Sequence, residues 1–225
     1  MYFHGTNISG GTAILSEQKM NPSRGDNHWL GDGCYFFDND FYAFRWVVID
    51  YTGNFTNNKQ EKIDDIFDYY MILKAYIKLS SDRIYSLSDP IMHINYLNLL
   101  ELLKQKQEYS ERFKNTEIVD GVVINILFED MGYKNNYDAI TGVFPIKTKQ
   151  KNKSRFNSFS EFQICIKNAD IISRIEMFND KTVPKKYKEI IKKYNEIKFG
   201  NTNIINKHTS KSKYKPTNTF TYKYK

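Results

Sequence analysis

The sequence predicts an α+β domain. Apolar runs of strand length are mixed with segments of helical periodicity, and no regular βαβ succession links them. The chain has 225 residues, enough to bury a sizeable core as one domain. Its 40% hydrophobic and 26% charged content is that of a globular protein.

Taken in order, "MYFHGT" reads as a short apolar strand ending at a Gly5-Thr6 turn. "GGTAILSEQKM" places Ala13, Ile14, Lys19 and Met20 as in a short amphipathic helix. Residues 21–33, rich in Asn, Pro, Gly and Asp, read as loop. "CYFF" is a compact strand, and Asp38 or Asn39 then caps a helix carrying Tyr42, Ala43, Trp46 and Val47. "MILKAYIKL" (71–79) reads as a strand, which "DRIYSL" continues beyond a break. "IMHINYLNLLELLKQKQEYSERF" has leucines at helical spacing and is the clearest helix, followed by a shorter one over "DGVVINILFEDMG". "YDAITGVF" and "SEFQICIKN" are rich in β-branched and aromatic residues and read as strands. Pro184 opens an amphipathic, lysine-rich helix over 184–199, and 201–225, with no acid and little aliphatic content, reads as a flexible tail.

Composition excludes several classes. The opening residues lack a basic stretch followed by an apolar run, and nothing approaches a membrane span, so a cytoplasmic protein with no membrane partner is expected. Two cysteines, Cys34 and Cys165, make neither a disulfide framework nor a zinc cage, and the four histidines show no metal-ligand spacing. The net charge of +7 suggests an acidic partner. Lysine, asparagine, isoleucine and tyrosine are over-used throughout, as an AT-rich genome would produce, so the placement of charge carries the information.

Three pieces carry chemistry: "FHGT" at 3–6, "LGDGCYFF" at 30–37 and "SEFQICI" at 160–166. Each is weak alone. Together and in this order they resemble the ADP-ribosyltransferase family, in its diphtheria-toxin-like and poly(ADP-ribose) polymerase-like branch. That branch has a His on the first strand, a Tyr on a strand after a glycine loop, and a Glu on a late strand. The likeness is dense over residues 2–48 and returns around 137–175. It implies a mostly antiparallel, split β core flanked by helices over 1–180, followed by a basic amphipathic helix (181–200) and a basic tail (201–225).

What the resemblance implies for the site is specific. Gly5 would present its backbone to the nicotinamide carboxamide of NAD, His4 would hydrogen-bond the adenosine ribose, and Thr6 would take ribose or backbone contacts. Tyr35 would stack on the nicotinamide, Gly33 would let the backbone pass close to the ligand, and Trp46 would close the ring's other face. Glu161 and Gln163 compete for the third position. Two residues apart on a strand, they project to the same face; a carboxylate can offset an oxocarbenium-like charge, an amide supplies a dipole, and the preference is narrowly Glu161. NAD is the co-substrate and no metal is required. The implied reaction is mono-ADP-ribosyl transfer to a macromolecular acceptor, in a toxin or phage-conflict effector with an antitoxin among its candidate partners.

Plainer alternatives stand beside these. Outside its Gly-Thr context His4 would be a satisfied, half-buried histidine, Tyr35 and Trp46 core aromatics, and Glu161 a surface carboxylate at a strand end. The cysteines read as buried packing residues. The run 145–158 carries Lys147, Lys149, Lys151, Lys153 and Arg155 without an acid, just ahead of Glu161. It is either a solvated loop or the attachment for a polyanionic acceptor such as RNA or DNA. The rival functions are NAD hydrolysis at the same site, a catalytically inactive nucleic-acid-binding module, and a Cys-dependent hydrolase.

Overall fold

The first strand, β1 (Tyr2–Asn7), sends Phe3 and Gly5 to one face and Tyr2, His4 and Thr6 to the other. The computed structural model of the chain describes residues 1–25, 28–54, 63–106, 117–146 and 159–178, with 187, 189 and 190. The Gly5-Thr6 turn expected after "MYFH" is absent. Both residues lie within β1, opposite Ile72 and Met71 of β3 (Tyr70–Ile77). The chain turns instead at Asn7, whose side-chain oxygen accepts the Gly10 N–H at 2.7 Å and caps α1 (Ile8–Glu17). At the other end of α1, the Gln18 amide bonds the carbonyl and N–H of Ile175, fastening the helix to the sheet.

The remaining strands are β2 (Cys34–Phe37), β4 (Ile84–Ser86), β5 (Ala139–Ile146), β6 (Phe159–Ile166) and β7 (Ile172–Met177). They form one seven-stranded sheet in the order β4-β5-β6-β2-β1-β3-β7, antiparallel except for the β4–β5 pair. With α1 and three further named α-helices about it among the described residues, this agrees with the α+β class. The split in the β core does not appear, because β1 and β2 are joined at Phe3↔Phe37.

Two strand expectations need correction. "DRIYSL" does not prolong β3: β4 sits at the opposite edge of the sheet. Arg83, ending a short 3-10 turn, carries it there by bonding both carboxylate oxygens of Asp138 at 2.8 and 2.9 Å, just ahead of β5. The edge strand β7 was not anticipated, since exposed Arg174 and half-buried Glu176 give it a polar look typical of a protected edge.

Helix α2 (Asp40–Asn54) begins behind Asn39, whose side chain accepts the Phe41 N–H at 2.8 Å. Asp89 does the same for Ile91 and Met92 at the start of α3 (Pro90–Lys106). Helix α4 (Asp120–Asn125) runs into a π-helical turn over Ile126–Asp130.

The helices are placed unevenly. One face of the sheet carries α1 over Cys34, Phe36, Met71, Leu73, Ile164 and Ile166. On the other face, α2 packs Phe44 and Val47 against Phe3, Phe37 and Ile72. Farther along that face, α3 and α4 pack Tyr96, Val123, Leu127 and Phe128 against Tyr85, Ile140 and Cys165. The central strands β2 and β6 therefore run between two helical caps. Tyr187 joins the α2 cap, buried, with its hydroxyl donating to Asp40 at 2.6 Å, so the chain beyond residue 180 contributes to this core. The rest of the C-terminal helix, the 201–225 tail, residues 107–113 of the third predicted helix and the basic run from 147 to 158 lie outside the described residues. Among those described, no helix is long and apolar enough to cross a membrane.

Candidate functional site

Tyr35 is held against the glycine loop that precedes it. Its hydroxyl accepts the Leu30 N–H at 2.9 Å and donates to the Gly31 carbonyl at 2.6 Å. Gly31 is a true left-handed position, with φ of 69°. Asn125 of α4 accepts the Asp32 N–H at 2.7 Å, and Lys167, directly after β6, donates to the carbonyls of Leu30 and Asp32 at 2.7 and 2.6 Å. Burial pushes the Lys167 ammonium below its usual range, and its Nζ stands 5.0 Å from the centre of the Phe128 ring. The loop is thus fixed from three elements. It sets His28 beside the Tyr35 ring at 5.5 Å and Trp29 beside Phe144 at 4.7 Å.

The two predicted glycines have neighbours within the protein that account for them. A Cβ on Gly5 would lie 2.5 Å from Val47 and 3.3 Å from Trp46, so α2 can lie close on β1 only over a glycine. Trp46 covers Gly5 from this side, half-buried among the α2 aromatics. At Gly33, with φ of 155°, a Cβ would lie 2.4 Å from the Cys165 sulfur and 2.7 Å from the Ile166 carbonyl oxygen. Gly33→Ala therefore meets both backbone strain and a clash with β6. The expected loss is at least about 3 kcal/mol, a melting temperature lower by roughly 6–12 °C for a chain of this size; a drop under 2 °C on about that scale in a thermal melt would contradict the packing.

Strand alternation then decides which side chains meet. Tyr35 pairs with Cys165 and Phe37 with Gln163, so Tyr35, Glu161, Gln163 and Cys165 share the face that carries α2 and α4. His4 pairs with Leu73 and leaves β1 on the α1 face, where its ring meets Phe36 edge-on at 5.8 Å. Thr6 shares that face, under Gly10 and Gly11 of α1. Imidazole and phenol ring consequently start from opposite faces and do not converge as side chains. They are linked through the backbone: His4 Nδ1 bonds the Tyr35 carbonyl oxygen at 2.8 Å. A carbonyl can only accept, so Nδ1 carries the proton. Burial lowers the pKa of His4, keeping the ring neutral and leaving Nε2 as an acceptor.

Glu161 is no surface carboxylate. It is 5% exposed and Gln163 8%. Arg45 of α2 donates to one Glu161 oxygen at 2.6 Å, and the Gln163 amide N–H donates to the other. Tyr42, one turn earlier on α2, donates to the Ser160 carbonyl at 2.7 Å. The register makes Gln163, opposite Phe37, the diagonal neighbour of Tyr35, with Glu161 one pair farther away. Arg45 and Lys167 escaped sequence reasoning. Their local signals, an arginine in an aromatic helix and a lysine ending a strand, are ordinary.

Both cysteines are buried. Burial pushes the Cys34 thiol up to about 12 and raises that of Cys165. Burial thus disfavours the thiolate that a Cys-dependent hydrolase would use and fits the packing role expected of both residues.

The chain is similar to an uncharacterized protein of the archaeon Methanocaldococcus jannaschii, 29% identical over 200 aligned residues that span 81% of this chain and 89% of the relative. No protein-family pattern matches the chain, and no solved structure does.

Proposed function

We propose that the protein is a mono-ADP-ribosyltransferase that moves ADP-ribose from NAD to a macromolecular acceptor and releases nicotinamide. The observation that carries this reading is the shared face of β2 and β6, on which Tyr35 and Gln163 are diagonal neighbours in the register. His4 is bonded to the backbone of that same tyrosine. The donor set suits the co-substrate: an aromatic ring for nicotinamide and a buried amide for a ribose hydroxyl, while His4, on the opposite face of the sheet, fixes the Tyr35 backbone between them.

NAD supplies a glycosidic bond whose cleavage releases nicotinamide with the bonding pair, while the acceptor's lone pair bonds C1′ and the acceptor's proton passes to solvent. Tyr35 holds the leaving ring by stacking, an interaction of about 0.5–1.5 kcal/mol for aromatic pairs. Its hydroxyl, engaged by Leu30 and Gly31, keeps the ring from rotating away. Gln163 takes the third position, with its amide N–H committed to Glu161 and its carbonyl oxygen left to accept from a ribose hydroxyl. Glu161, held by Arg45, orients that amide. On this reading the two residues divide the work and Gln163 is preferred for the third position, since Glu161 lies one pair farther from Tyr35 in the register.

The test is incubation with radiolabelled NAD and a mixed pool of protein, RNA and DNA, followed by separate protease and nuclease digestion. Label should enter one macromolecular fraction, and Gln163→Ala should cut its rate about a hundredfold, as loss of one positioned dipole does. Glu161→Gln should cut it less. Nicotinamide release without labelled macromolecule would make the protein a NAD glycohydrolase, and calorimetry showing no NAD uptake would end the reading.

A further inference from the structure

We infer that the protein forms a two-fold dimer in which the outer stripe of α3 packs antiparallel against the same stripe of a second copy. Helix α3 is apolar on two sides. Its inner side, with Met92, Tyr96, Leu99, Leu100 and Leu103, belongs to the core beneath the α3–α4 cap. Its outer side exposes Ile91 at 73%, Ile94 at 55% and Leu102 at 44%. At about 100° per residue, Ile91, Ile94, Asn98, Leu102 and Gln105 share one stripe roughly 80° wide, and all five are exposed. A helix apolar on so much of its girth belongs inside a core, yet this one cannot roll to bury the stripe. Tyr85 donates to the Met92 carbonyl at 2.6 Å, Tyr96 donates to Asp120, and His93 Nδ1 bonds the Leu87 carbonyl at 2.8 Å.

The symmetry of the stripe decides what covers it. Its positions are palindromic about Asn98: Ile91 lies as far before that residue as Gln105 lies after it, and Ile94 as far before as Leu102 after. Two copies laid antiparallel about a dyad at Asn98 therefore set Ile94 on Leu102 twice, Ile91 on the Gln105 stem twice, and Asn98 on Asn98. Such reciprocity is what an isologous interface requires. An amide both donates and accepts, so the two Asn98 side chains can bond each other, as a single polar residue in an apolar seam does to fix register. Charge agrees with this direction. Glu101 meets Asn95, Lys106 approaches the Asp89 end of the other copy, and the helix dipoles oppose. A parallel pair would set Glu101 on Glu101 and Lys106 on Lys106. Four turns of helix bury less than the roughly 800 Å² per partner of a standard interface, so the dimer is weak, dissociating at about 10–100 μM.

Sedimentation of the full chain from about 5 to 500 μM should show the mass rising from 26.7 kDa towards twice that value. Ile94→Glu puts a charge into the seam and should raise the dissociation constant about tenfold or more, with an unchanged thermal melt because Ile94 is exposed in the single copy. Cross-linking reads the register. Both native cysteines are buried, so introduced ones report alone. Under copper-catalysed oxidation by dissolved oxygen, Asn98→Cys should link to itself. Ile91→Cys should not, because its counterpart lies about 21 Å along the axis, some three times the reach of a disulfide; mixed with Gln105→Cys it should link. A mass that stays at 26.7 kDa throughout, a dimer that survives Ile94→Glu, or self-linking of Ile91→Cys as fast as that of Asn98→Cys would overturn the inference. None of these measurements needs NAD, so their outcome is independent of the transfer reading.

Discussion

Arg45→Met is expected to cost about 3–5 kcal/mol of stability, since it strands the Glu161 carboxylate in a buried site. The ion pair is 2.6 Å long, with side chains only 13% and 6% exposed, so water cannot replace the guanidinium without opening α2. At about 2–4 °C per kcal/mol, the melting temperature should fall by roughly 6–20 °C. The control is the double variant Arg45→Met/Glu161→Leu, which removes both charges and should recover most of the loss. Two isolated deletions add, whereas members of a coupled pair do not. If the double variant melts with or below Arg45→Met, the ion pair is not what Arg45 contributes, and the case for Glu161 as the holder of Gln163 goes with it.

Local pattern made the α+β class, the "CYFF" strand and the common face of Glu161 and Gln163 legible, because each depends on residues within a few positions of one another. What stayed hidden depends on partners remote in the chain. Nothing around "SEFQ" tells that Glu161 is buried; that is settled by Arg45, 116 residues away. Likewise the transfer of β4 to the far edge follows from Arg83 meeting Asp138, 55 residues on. Gly33 reads as a loop glycine until Cys165 is seen against it. The facing of His4 was a matter of register: alternation within β1 is evident from sequence, but its pairing with Leu73 is not, and that pairing sends the imidazole to the α1 face. Where the resemblance suggested three side chains converging in one cleft, the sheet offers two on a common face and a third reaching the backbone of Tyr35.

Tyr35 is where fold and proposed chemistry are hardest to separate, and a two-variant series separates them. Tyr35→Phe removes a hydroxyl that serves the Leu30 N–H and the Gly31 carbonyl at once. Leu30 is fully buried, so its N–H loses a partner that water cannot readily replace. The cost should be about 2–4 kcal/mol for the two groups together. Tyr35→Ala loses the ring too, and with it the contacts to His28 and the α4 cap, for a total of about 3–5 kcal/mol or more. Stacking on nicotinamide uses the ring face and not the hydroxyl. Assayed at a temperature where both variants are folded, Tyr35→Ala should therefore abolish labelling from NAD, while Tyr35→Phe keeps a substantial part of it. Equal loss in the two, at equal NAD affinity by calorimetry, would mean that Tyr35 acts by fastening the glycine loop alone. In that event the leaving ring must be held elsewhere, and His28, beside Tyr35 on the same loop, is the aromatic to substitute next.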